Sequence, residues 1–154
     1  MPRPVSPALP RAFAALSVAL CCAVPAAGQT LRSCDTFEAN ARNLMSPPEV
    51  AVQSFAEGEV RIIGLDTIEP ACCYAHLLVT HPVPDEPYPA CTLISDTGGV
   101  GFAGVDMGAL TSSYDPVDGL VVTVPVGKYD GQASIMSPLT VTVDGPTGQV
   151  TASR

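Results

Sequence analysis

Six short runs dominate the chain after residue 50: VRIIGLDT (60–67), YAHLLVT (74–80), CTLIS (91–95), VGFAGV (100–105), LVVTVPV (120–126) and LTVTVD (139–144). Most are rich in Val, Ile or Thr, and Gly, Pro or Asp flank them. β-Branched side chains pack well on a pleated surface, whereas Gly, Pro and Asp favour turns, so these runs read as strands. VAVQSF (50–55) adds a candidate first strand and QVTAS (149–153) a last one. No helical periodicity alternates with them, which argues against βαβ units. The expected fold is all-β: a sandwich, or a small barrel, of about seven to eight short strands. YDPVDGL (114–120) and VDGPTGQV (143–150) read as tight connections, with Pro116 preset for a turn and Gly119 free to take positive φ.

Two segments depart from this pattern. In SCDTFEANARNL (33–44), Asp35 followed by Glu38 resembles a capping box, and Phe37, Ala41 and Leu44 fall on one helical face. Pro47 and Pro48 follow, so a short N-terminal helix is expected at about 36–44. At the start of the chain, Arg3 and Arg11 precede the apolar run AFAALSVALCCAVPA (12–26) and then AAG. A basic region, a short apolar core and small residues at the cut form a secretory signal peptide. The run is shorter than the roughly 20 residues a membrane span needs. Residues 1–28 are therefore expected to be cleaved, leaving 29–154 as a single domain with no membrane insertion. Leu20 precedes Cys21 where a lipoprotein signal needs a small residue.

Charge narrows the partners. The chain has 7 Lys+Arg against 15 Asp+Glu, a net of −8. Losing Arg3 and Arg11 leaves five basic residues against the same 15 acids, a net of −10. Such a surface repels phosphate backbones and anionic lipid, which argues against nucleic acid as a partner. The expected location is the periplasm or the extracellular space, with residue usage that leans bacterial.

After cleavage four cysteines remain: Cys34, Cys72, Cys73 and Cys91. An even number in an exported chain points to two disulfides. If Cys72 and Cys73 lie on a strand they point to opposite faces and reach different partners. In a simple hairpin of 74–80 with 91–95, Cys91 would lie beside Thr80, about 23 Å from Cys73, too far for a bond. The connection HPVPDEPYPA (81–90) holds four prolines and favours extended geometry. Read as a crossover, it returns Cys91 to the pair. The expected bonds are Cys34–Cys72 and Cys73–Cys91, with the swapped pairing close behind and a bond between the adjacent Cys72 and Cys73, which would force a strained peptide, the least expected.

The alternative chemistry for this cluster is a copper or zinc site using Cys72, Cys73, His76 and His81, with Met107 as a further soft donor. Adjacent cysteines fit it poorly, because zinc sites usually space them as C-x2–4-C. No C-x-x-C redox motif is present. GVGFAG (99–104) matches G-x-G-x-x-G, but no amphipathic helix follows to receive a pyrophosphate, so close backbone packing is the better reading. Asp115 and Asp118 lack the alternating acids and terminal Glu of a calcium loop. No G-x-S-x-G or S-x-x-K is present. Asp66, Asp96 and Asp106 at strand ends offer a third reading, a small hydrolase built on carboxylates. The preferred reading is an exported, disulfide-bonded, non-enzymatic module without a cofactor. Its expected ligand is a protein or an envelope component, and its expected contact features are the acidic surface and the loop 82–89 with Pro84, Asp85, Glu86 and Tyr88, although Tyr88 by itself reads first as a solvated loop residue.

Overall fold

A computed structural model describes residues 28–154. The expected signal peptide, residues 1–28, lies outside the described residues except for Gly28. Nine strands form two antiparallel sheets packed face to face: β1 (Thr30–Ser33), β2 (Val52–Phe55), β3 (Val60–Asp66), β4 (Ala75–His81), β5 (Ala90–Ser95), β6 (Thr111–Asp115), β7 (Gly119–Tyr129), β8 (Ser134–Val143) and β9 (Val150–Ser153). The first sheet has the order β1-β5-β4-β3-β2 and the second β6-β7-β8-β9. The sheets stay separate, so the fold is a sandwich and not a closed barrel.

The alternation of side chains explains the core. Inward residues Ile62, Leu77, Val79 and Ile94 of the first sheet meet Val122, Val124, Leu139 and Val141 of the second, all fully buried. β7 shows the expected alternation of buried and less buried positions. β4 does not; it is buried on both faces. Its outer face is covered by residues 34–44, which cross the back of the first sheet. Leu65, Leu78 and Leu93 form a second small core there, with Cys34, Ala39 and Cys91 packed against it.

That covering segment corrects the expected helix at 36–44. Within it only Ala41–Asn43 makes a single 3-10 turn, and the one α-helix among the described residues, α1 (Pro48–Ala51), begins after Pro47. Asn40, not Asp35, caps the turn by accepting from the Arg42 N–H. Glu38 reaches sideways to Arg32 at 2.7 Å. Asn43 is buried and donates to the carbonyls of Phe37 and Glu38. Phe37, expected on an apolar helix face, is 56 % exposed, with the Arg42 guanidinium over its ring. Side-chain hydrogen bonds to local backbone compete with helical ones, and here they prevail.

VGFAGV (100–105) is a crossing segment and not a strand. Phe102 pairs with Ala75 of the first sheet, and Val105 pairs with Val126 of the second. Gly101 packs so closely on the Cys73 carbonyl that a Cβ would overlap it. The expectation of close backbone packing therefore holds there. The two tight connections form as expected: β6–β7 and β8–β9 are hairpins, and Gly119 has φ +88°.

Candidate functional site

The cysteines pair as Cys34–Cys91 and Cys72–Cys73. Both expected bonds, Cys34–Cys72 and Cys73–Cys91, are thereby corrected, as is their swapped alternative, and the pairing of neighbours expected least is the one that forms. β4 and β5 form a direct antiparallel pair with Thr80 opposite Cys91 and His81 opposite Ala90. Residues 82–89 are thus a hairpin connection and not a crossover. Cys91 sits at the far end of β4 from Cys73, as hairpin geometry requires, and Cys34 is its neighbour, with Cα atoms 5.7 Å apart. Cys72 and Cys73 precede β4, in the connection from β3. The opposite-face rule for strands does not govern them there, and they bond to each other across a cis peptide. Cys72 is exposed and Cys73 half-buried.

The other candidate donors are dispersed. His76 points to the outer face of β4, beneath the covering segment, where it is 4 % exposed. Its Nδ1 shares a hydrogen bond with Ser95 Oγ at 2.9 Å. Burial pushes the His76 pKa down, and Arg32 adds to that, against the opposing pull of Glu38 and Glu69. His81 points inward at the other end of β4, 3.1 Å from Thr92 Oγ1. Met107 is part of the inner core. Among the described residues, no group of three or more His, Cys, Asp or Glu side chains is placed to hold a metal ion.

The strand-end acids each serve local backbone. Asp66 accepts from the Ile68 N–H at 2.7 Å. Asp96 accepts from the Thr97 N–H and pairs with Arg154 at 3.4 Å. Asp106 accepts from the N–H groups of Gly108 and Ala109. Asp115 does the same for Val117 and Asp118, and those two bonds hold its carboxyl below the usual range. The Asp115–Asp118 loop is thus turn chemistry.

The loop with Pro84, Asp85, Glu86 and Tyr88 is exposed throughout. Tyr88 is 80 % exposed. The loop borders a groove of about 260 Å³ with Glu59 and Arg61 on the facing side. A second groove, of about 440 Å³, shares Glu59 and Pro82 with it and opens between the edge strands β2 and β6. This second groove was not legible beforehand. TSSYD (111–115) has only Thr and Tyr to suggest a strand, and the pairing of two edges is a tertiary matter. Gly148 lies against the Pro82 backbone and ties the β8–β9 turn to the loop.

Compared with known proteins, the chain matches no family model, no curated protein and no solved structure. Among the described residues, no helix is long and apolar enough to cross a membrane. Two disulfides point to an oxidising, non-cytoplasmic compartment.

Proposed function

We propose that this chain is an exported, non-enzymatic binding module of the periplasm or extracellular space, with another protein or an envelope component as its ligand. The observation that carries the reading is the character of one end of the sandwich. Four connections meet there: 56–59, 82–89, 116–118 and 144–149. They bring together Glu57, Glu59, Asp85, Glu86 and Asp118, with Asp115 at the start of the third. Tyr88 projects from this acidic end with most of its surface in water, and aromatic residues are enriched at interface centres. Loops on a rigid sandwich are common carriers of binding. The disulfide-bonded frame suits an exported protein.

The test is to replace residues 82–89 with a Gly/Ser segment of equal length in the exported protein. A photo-crosslinking amino acid at position 88 of the parent identifies the partner. The reading predicts one dominant crosslinked species that no longer co-purifies with the loop variant. An unchanged set of partners would remove the loop as the contact.

A further inference from the structure

β6 is the terminal strand of its sheet, and all five of its side chains are exposed. Among the described residues, no strand pairs with its outer side. Thr111, Ser112, Ser113 and Tyr114 are uncharged, and β6 pairs with β7 in unbroken register. Apart from the charge of Asp115 at its end, the charged residues, prolines and bulges that commonly blunt an edge strand are absent from it. Ser112 and Tyr114 lie opposite Val122 and Leu120 of β7, so they face the space between the sheets. That space is open: it is the 440 Å³ groove, floored by Phe55, Val60, Leu120 and Val143. Tyr114 is 75 % exposed beside it.

The geometry points to this edge and groove as the docking site for an extended segment of another protein in which basic and apolar residues alternate. The inference rests on the binding-module reading and specifies its ligand. A strand added to β6 would bond through its main chain, and its alternate side chains would enter the groove. Those side chains meet an apolar floor, so they are apolar. The remaining ones point to the outer face of the sheet, the side of Thr111, Ser113 and Asp115, while Glu59 lines the groove itself. Asp115 ends β6 on that outer side, and Glu57 and Asp118 lie in the adjoining connections at the same end. Among the described residues, Arg61 is the one basic side chain lining either groove. Such a field favours a cationic segment. A second copy of this chain is disfavoured, because it carries a net charge of −8 itself. A five-residue strand also covers far less than the roughly 1,600 Å² of a standard interface.

The probe is a capped synthetic nonapeptide, KVKVKVKVK, added to the exported protein, with EVEVEVEVE and a KV peptide N-methylated at alternate amides as controls. Hydrogen exchange of the protein is followed with and without peptide. The inference predicts slowed exchange at 111–115 and binding that weakens as salt rises. It predicts at least tenfold weaker binding of both controls. Tyr114→Arg, an exposed position, should weaken the KV peptide at least tenfold while leaving Tm unchanged. Equal binding of the variant and parent, or no binding at 1 mM peptide, overturns the inference. So does a free protein that dimerises with 111–115 already protected, which would assign the edge to a second copy. If the peptide instead protects the 82–89 amides, the groove assignment fails and the binding-module reading stands. If neither region responds and exchange of the loop leaves the partners unchanged, both fail.

Discussion

His76 lies buried on the outer face of β4, an environment that its place in a strand does not by itself suggest. A histidine four positions from Cys72 invites a metal reading, yet the side chain is roofed by residues 34–44 and bonded to Ser95. Burial disfavours its charged form, so its folded pKa lies below the unfolded value. In the window between those two values the unfolded chain binds the proton and the folded chain does not. Stability therefore rises with pH through that window and falls as pH drops below about 6.5, the ordinary histidine value. Thermal melts should give a lower Tm at pH 5.5 than at pH 7.5, and His76→Gln should flatten that difference. An unchanged slope in the variant would mean that other groups cause it. Gly101 supplies a second residue-scale prediction. Its close approach to the Cys73 backbone leaves no room for a methyl group. Gly101→Ala should destabilise by roughly 1–3 kcal/mol, read as a lower urea midpoint. The tight packing was legible in GVGFAG; its neighbour was not, because nothing in the sequence says which backbone lies alongside a glycine.

At the scale of elements, strands were easier to read than the segment that covers them. VRIIGLDT, YAHLLVT, CTLIS, LVVTVPV and LTVTVD all contain strands, with ends shifted by a few residues. Local propensity and turn residues suffice for that. The expected helix at 36–44 does not form; a spacing of Phe37, Ala41 and Leu44 cannot tell a helix from a strap fastened at both ends. Here the fastenings are the Cys34–Cys91 bond and the Leu44–Leu65 bridge. A hairpin of β4 and β5 keeps Cys91 far from Cys73, and the four prolines of 81–90, which suit a crossover, are equally at home in an exposed loop. The strap carries a prediction. Cys34 and Cys91 are 57 residues apart. Closing a loop of that length lowers the entropy of the unfolded chain by about 4 kcal/mol at 25 °C in the chain-entropy model. Cys34→Ser with Cys91→Ser should cost on that order in urea unfolding. Cys72→Ser with Cys73→Ser closes almost no loop and should cost clearly less. Equal losses would contradict the division of labour between the two bonds.

Across the whole molecule the architecture segregates its features. The vicinal cysteine pair and the 100–105 crossing segment lie at one end, joined by Ala75 and Phe102. The acidic connections, Tyr88 and the open β2–β6 groove lie at the other. Net charge was readable from composition; its concentration at one end was not, because it depends on which turns a sandwich brings together. On the proposed function the cysteines serve architecture and the acidic end serves recognition. The most direct test of that assignment is to weigh the exported protein intact without reduction, with and without alkylation, and then map its cysteine peptides. The account predicts no alkylation, one peptide pair joined through Cys34 and Cys91, and Cys72 and Cys73 bonded within a single peptide. Free thiols at Cys72 and Cys73, or a bond from either of them to Cys34 or Cys91, would contradict it.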